Sequence, residues 1–151
     1  MEREITRARR TRQSLVLAFL DVDHLKAIND SGGHAAGDQL LVAVASTLKS
    51  VLRPYDIVVR YGGDEFVCAL PGMRKAGATR RFAQVNTALA TGEHQGEVTV
   101  GLAELRPDDS LDDLIARADA ALYELRQARP GAESERLASI GGPRQMPPPS
   151  A

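Results

Sequence analysis

Two adjacent glycines, Gly62 and Gly63, lie between two short segments rich in β-branched and aromatic residues, residues 56–61 and 65–70. Two glycines between such segments are typical of a tight turn, so the pattern predicts a β-hairpin. Glycines at the turn also leave room for a ligand to approach the backbone closely. A hairpin in the middle of the chain requires a sheet, against which the remaining elements must pack.

The rest of the chain supplies those elements. Residues 15–20 form a continuous apolar run of strand length, as expected for a central strand with one or both faces covered. Apolar residues then recur with the helical period from Leu40 to Leu52, and this helix should end before Pro54. The other predicted elements are helices over residues 2–13, 74–90 and 110–127, the last with Ser110 as N-cap, and a strand over residues 97–103.

This order of elements, α-β-α-β-β-α-β-α, predicts an α/β (α+β) fold of the ferredoxin-like kind. A central antiparallel or mixed sheet is flanked by helices in such folds. The first strand lies beside the third and antiparallel to it. We therefore expect Asp21, which follows the first strand, to lie next to Asp64 at the start of the third.

Composition limits the class of protein. A chain of 151 residues suits one folded domain, residues 1–129, and residues 130–151 are rich in Gly, Pro and Ser, which predicts a disordered tail. A net charge of −1 gives no overall field for nucleic acid or a membrane, although residues 2–13 are basic and predict a solvated helix. With one cysteine and no apolar run long enough to span a bilayer, we expect a soluble, cytoplasmic protein.

The acidic residues at the strand ends suggest a metal site. Carboxylates of Asp21 and Asp64, with the backbone carbonyl of Val22 between them, suit Mg²⁺, which prefers a few carboxylate oxygens together with substrate phosphates. Glu65 follows Asp64 directly, and we expect the two side chains on opposite faces of a strand, one on metal and one near a reacting hydroxyl. Taken alone, each acid is better explained as a turn or helix-cap residue, and it is the combination with the hairpin that favours a metal site.

Three segments carry a family resemblance. Residues 60–66 (Arg-Tyr-Gly-Gly-Asp-Glu-Phe) resemble the signature that gives the GGDEF family its name. Residues 21–30 (Asp-Val-Asp-His-Leu-Lys-Ala-Ile-Asn-Asp), with the glycines that follow, resemble its first motif, and residues 118–123 are similar to its last helix. Two long motifs in the right order are a far more specific signal than a lone glycine pattern.

The resemblance implies a nucleotidyl-cyclase-like form of this fold, and it implies a function. Members of the family are diguanylate cyclases, which condense two GTP molecules into the bacterial second messenger cyclic di-GMP and release pyrophosphate. It implies Mg²⁺ or Mn²⁺ as cofactor, a second GGDEF domain as homodimer partner in catalysis, and control by a sensory or regulatory domain or protein. Nucleic acid and membrane are not expected partners.

The resemblance also implies residue roles. Asp21, the carbonyl of Val22 and Asp64 would hold the metal, while Glu65, with Asp64, would serve catalysis by deprotonating or orienting the ribose 3′-hydroxyl. Residues implied to bind substrate are Asn29 and Asp38 at the guanine edge, Lys26, Arg126 and the backbone of His24 and Leu25 at the phosphates, and Gly62 and Gly63 at the turn. From spacing alone, Asn29 equally suits a turn and Asp38 a helix cap.

Arg53 and Asp56 match the family's RxxD product-inhibition site. An arginine fork can bind guanine or phosphate through two hydrogen bonds. The alternative is a salt bridge at a helix end.

Several positions depart from the family pattern, and two of them lie where the family binds phosphate. Arg126 stands where a lysine is usual, and Pro130 stands where a second arginine is usual. These departures favour an alternative function, a catalytically weak domain that acts as a GTP or cyclic di-GMP receptor module. The intact acidic residues favour the enzyme.

Overall fold

The computed structural model describes residues 1–129, so the predicted disordered tail lies outside the described residues. Within this range no helix has the length and hydrophobicity that crossing a bilayer requires. The elements are α1 (Glu2–Thr11), β1 (Leu15–Val22), α2 (Leu25–Gly32), α3 (His34–Val51), β2 (Ile57–Arg60), β3 (Glu65–Pro71), α4 (Lys75–Thr91), β4 (Val98–Glu104) and α5 (Leu111–Gln127).

The four strands form one sheet in the order β2-β3-β1-β4. Strand β1 is antiparallel to β3 on one side and to β4 on the other, and β2 is antiparallel to β3. The predicted pairing of the first and third strands is therefore confirmed. Its register places Asp21 opposite Glu65, so the two acidic motifs meet at one end of the sheet.

Helices cover both faces of the sheet. Side chains of β1 alternate between two hydrophobic clusters, as the pleat of a strand requires. Ala18 and Leu20 belong to the cluster formed with α3 and α4, whereas Leu17 and Phe19 belong to the cluster formed with α1 and α5. Because β1 is buried on both sides, its sequence is a continuous apolar run.

Two helices differ from expectation. Helix α1 is not solvated all round, because Ile5 and Ala8 are buried against the sheet. Helix α2 was not predicted at all. It has only 8 residues, too few to show a helical period in the sequence, and none of them is fully buried. Leu25 and Ile28 nevertheless pack against the core, and they hold the first turn of α2 beside the end of β1.

The helix ends confirm one sequence interpretation and correct another. The Ser110 hydroxyl accepts a hydrogen bond from the Asp113 backbone N–H at 3.0 Å, which confirms the predicted N-cap of α5. Gly33 joins α2 to α3 with φ of 79°, a conformation that favours glycine. Because α3 begins at His34, Asp38 lies inside that helix, and the interpretation of Asp38 as a helix cap is wrong.

Candidate functional site

Three carboxylates converge at the end of β1. Asp21, Asp64 and Glu65 each offer an oxygen within 4.8 Å of the others. The backbone N–H of Val22 donates to the Asp64 carbonyl at 3.0 Å, which ties the turn before β3 to the end of β1. The expectation that Asp64 and Glu65 point to opposite faces is wrong. Strand β3 begins only at Glu65, so strand alternation does not separate the two side chains.

Burial and mutual repulsion disfavour negative charge in this cluster. Burial raises the pKa of Asp21 to about 7; the charge of Arg126 opposes this, while Asp64 and Glu65 add to it. The pKa of Glu65 is also raised, first by desolvation and then by the charges of Asp64 and Asp119. A cation among these oxygens would relieve the repulsion.

The donor set fits a hard divalent cation. All three groups offer oxygen, the ligand type that Mg²⁺ prefers. Asp21 Oδ1 is buried and accepts no hydrogen bond from the described residues. A buried carboxylate oxygen without a donor is costly, and a metal ion would satisfy it.

The hairpin turn is shaped around Glu65. A Cβ on Gly62 would lie 2.7 Å from Glu65 Oε2, so a side chain at this position would displace the carboxylate. Arg60 closes the turn by donating from Nε to the Gly62 carbonyl at 3.2 Å and from Nη2 to the Gly63 carbonyl at 2.7 Å. Among the described residues other than its chain neighbours, none comes within 4 Å of the Cβ position at Gly63, which leaves the turn open at that point.

A network of ion pairs and hydrogen bonds extends from this cluster toward the end of α5. Arg126 Nη1 lies 2.9 Å from Asp21 Oδ2, and Arg126 Nη2 lies 3.1 Å from Asp23 Oδ1. Arg129 Nη1 lies 3.2 Å from Asp23 Oδ2. Asp23 is only 4% exposed, and it also accepts a hydrogen bond of 2.7 Å from the Thr99 hydroxyl. Buried charges of this kind persist only when several partners surround them.

Sequence reasoning missed three residues of this network. Asp23 had an available signal, its Asp-x-Asp spacing with Asp21. Thr99 and Arg129 had none, because they reach Asp23 only through the pairing of β1 with β4 and the packing of α5.

A cleft of about 540 Å³ opens beside the carboxylates. The first turn of α2 forms one wall, and its free backbone N–H groups favour an anion there. His24, which precedes this helix, has φ of 60°. The lining residues include the predicted Val22, His24, Leu25, Lys26, Asp64 and Arg126, together with Asp23, Ala27, Asp30 and Arg129.

The two residues predicted to recognise guanine lie on different elements. Asn29 is on α2 and packs against α3, where a Cβ on Gly37 would lie 1.9 Å from Asn29 Oδ1. That oxygen is buried and accepts no hydrogen bond from residues 1–129. Asp38 follows Gly37 on α3, is exposed and lines a separate cleft of about 480 Å³ between α3 and β2. The structure therefore does not place Asp38 in the cleft that holds Lys26.

Arg53 and Asp56 lie at the other end of the sheet. Arg53 Nη2 donates to Asp56 Oδ1 at 2.8 Å and to the carbonyl of Pro71, the last residue of β3, at 2.9 Å. The Asp56 side chain is fully buried, and the Arg53 guanidinium lies 4.6 Å from the Tyr55 ring centre. These contacts form the salt bridge that the sequence offered as the alternative to a product-inhibition site. They leave Arg53 and Tyr55 lining a cleft of about 480 Å³ next to α1.

Comparison with known proteins agrees with this arrangement. The family model described as "Diguanylate cyclase, GGDEF domain" matches residues 1–131. The chain is 34% identical to diguanylate cyclase DgcP of Pseudomonas aeruginosa over 135 residues. This alignment covers 85% of this chain and 20% of DgcP. The chain spans only about 20 to 41% of the first curated relatives it matches.

Solved structures show the same likeness. The GGDEF domain of DgcB from Caulobacter crescentus, in complex with c-di-GMP, has a TM-score of 0.78 and 31% identity, over 85% of this chain and 81% of that one. The Pseudomonas aeruginosa diguanylate cyclase SiaD, in complex with its activator SiaC, has a TM-score of 0.76 and 36% identity, over 83% of this chain and 51% of that one.

Proposed function

Because this chain belongs to the GGDEF family of diguanylate cyclase domains, we propose that it condenses two GTP molecules into cyclic di-GMP. In each of two steps a ribose 3′-hydroxyl oxygen bonds to the α-phosphorus of the other nucleotide, and pyrophosphate leaves. Such phosphoryl transfer depends on positioning and on neutralised charge, and it requires no covalent catalyst.

The convergence of Asp21, Asp64 and Glu65 beside a cleft that also presents Lys26 and Arg126 carries this proposal. Asp21, Asp64 and the Val22 carbonyl would hold a divalent metal, Mg²⁺ or Mn²⁺. When bound, such an ion neutralises phosphate charge and orients the triphosphate. The raised pKa of Glu65 suits a group that accepts or orients the proton of the attacking hydroxyl.

Substrate phosphates would occupy the cleft at the first turn of α2. The backbone of His24 and Leu25, with the side chain of Lys26, would contact them there. Arg126 would contribute its charge from α5. We assign guanine to Asn29, whose buried Oδ1 lacks a donor, and to Asp38 on the adjoining helix.

The proposed reaction needs two chains. The described residues form one carboxylate cluster with one cleft beside it, and each nucleotide must present its hydroxyl to the other's α-phosphate. A homodimer with the two clefts facing each other meets this requirement. We propose that an attached regulatory region, or a partner protein, brings the two chains together.

Incubation with GTP and Mg²⁺ tests the proposal. We expect one cyclic di-GMP and two pyrophosphate molecules for every two GTP consumed, measured by chromatography with mass detection and a pyrophosphate assay. EDTA should stop the reaction, and added Mg²⁺ or Mn²⁺ should restore it. Tight binding of cyclic di-GMP without turnover would contradict the enzyme and favour the receptor function.

Feedback by the product is a second proposal, supported by the cleft beside Arg53 and Tyr55. Arg53 is partly exposed there and carries donors beyond those that bind Asp56. A guanine or phosphate group could bind this edge while Asp56 holds the guanidinium in place.

Product inhibition should weaken when the positive charge of Arg53 is removed. Removing Arg53 alone would leave the buried Asp56 charge unpaired, so we choose the double variant Arg53→Met/Asp56→Asn. The amide oxygen of the new asparagine can still accept a hydrogen bond from the backbone N–H of residue 53, as the Asp56 carboxylate does. We expect the half-inhibitory concentration of added cyclic di-GMP to rise about tenfold or more. An unchanged inhibition curve would exclude this site.

A further inference from the structure

Arg129 lies where it can bind the substrate. It lines the cleft of about 540 Å³ together with Lys26, Asp64 and Arg126. Its side chain is 40% exposed, so its two carboxylate contacts do not enclose it. Arg129 follows the end of α5 by two residues, and no periodic pattern selects it.

Buried Asp23 fixes the position of this guanidinium. Asp23 Oδ2 lies 3.2 Å from Arg129 Nη1, and the Asp23 side chain is itself held by the Thr99 hydroxyl. The second contact of Arg129 is weaker, because Glu97 is exposed and lies 3.8 Å away. An exposed ion pair of this kind contributes little, so a phosphate could replace Glu97 at small cost. Arg129 can keep Asp23 as a partner and still offer several N–H donors.

Arg126 is less available than Arg129. Both terminal nitrogens of Arg126 have carboxylate partners, Asp21 and Asp23. The Nε of Arg126 is buried and donates to no group in the described part of the chain. Of the two arginines, Arg129 therefore has the greater freedom to donate to a ligand.

We propose that Arg129, anchored by Asp23, binds the β- and γ-phosphates of the substrate nucleotide. The inference rests on the proposed function, because it assumes that a guanine nucleotide triphosphate occupies the cleft. A planar guanidinium with one edge on a buried carboxylate is pre-organised to bind phosphate with another edge.

Calorimetric titration with α,β-methylene-GTP and with GMP, in Mg²⁺, tests this. Arg129→Ala should weaken binding of the triphosphate about tenfold and binding of GMP less than about twofold, since a charge-assisted pair to the terminal phosphates is lost. Arg129→Lys should lie between, because lysine keeps the charge but lacks the fork. Arg80→Ala, at an exposed position on α4, is the matched control and should bind like the wild type.

The outcomes separate this inference from the function it rests on. A wild-type chain that binds neither nucleotide would overturn both. Wild-type binding with an unaffected Arg129→Ala variant would overturn the role of Arg129 alone. Equal weakening of GMP and of the triphosphate would overturn it as well, because a purely structural role of Arg129 acts on both. A thermal unfolding scan of each variant confirms that the domain is folded.

Discussion

Replacing Asp64 by asparagine is expected to lower the rate of cyclic di-GMP formation about a thousandfold, because the variant loses a metal-binding charge while keeping nearly the same shape. Asp64 lies with Asp21 and Glu65 in a cluster whose oxygens fall within 4.8 Å of one another. No other carboxylate of the cluster can take its place, since each already has its own role in the proposed site. The measurement is the initial rate of product formation at saturating GTP and Mg²⁺.

The same substitution should leave stability unchanged or increase it. Asp64 is among the causes that raise the pKa of Asp21 to about 7, which shows that these carboxylates repel one another when ionised. Removing one charge lowers this repulsion at neutral pH, so thermal unfolding without metal should occur at the same temperature or higher. Lost activity therefore could not be attributed to unfolding.

Asp108→Asn is the matched control. Asp108 is exposed and follows β4, at the end of the sheet away from the carboxylate cluster. The control should retain full activity. An Asp64→Asn variant that keeps more than about a tenth of the wild-type rate would contradict the proposed metal site.

Replacing Gly101 by alanine should destabilise the domain by about 3 kcal/mol or more, because overpacking here meets backbone that cannot rotate away. A Cβ at Gly101 would lie 2.1 Å from the Ala118 carbonyl oxygen and 2.3 Å from the Leu122 backbone nitrogen. Both atoms belong to α5, so the helix must move away from β4. We expect a lower midpoint in urea-induced unfolding followed by circular dichroism.

Gly63→Ala provides the comparison. Apart from Gly63 and its two chain neighbours, no atom of residues 1–129 lies within 4 Å of the Cβ position, so the effect of Gly63→Ala on the free energy of unfolding should stay within about 0.5 kcal/mol. If Gly101→Ala were as stable as Gly63→Ala, the close packing of α5 on β4 would be wrong. Because α5 positions Arg126, a folded Gly101→Ala variant should also bind substrate more weakly.

The sequence by itself determined the pairing of the first and third strands and the meeting of the two acidic motifs. These depend on local signals: an apolar run for β1, a double-glycine turn before β3 and a serine cap on α5. Together these signals leave few possible topologies, and in the ferredoxin-like one the ends of β1 and β3 adjoin.

Only the tertiary structure decided how the site is completed. Helix α2 escaped prediction because its 8 residues are too few to show a helical period, and Asp38 lies inside a helix that begins earlier than expected. Thr99 and Arg129 come to Asp23 from β4 and from beyond α5. Contacts between residues so distant in the chain depend on strand register and helix packing, and no local sequence pattern encodes either.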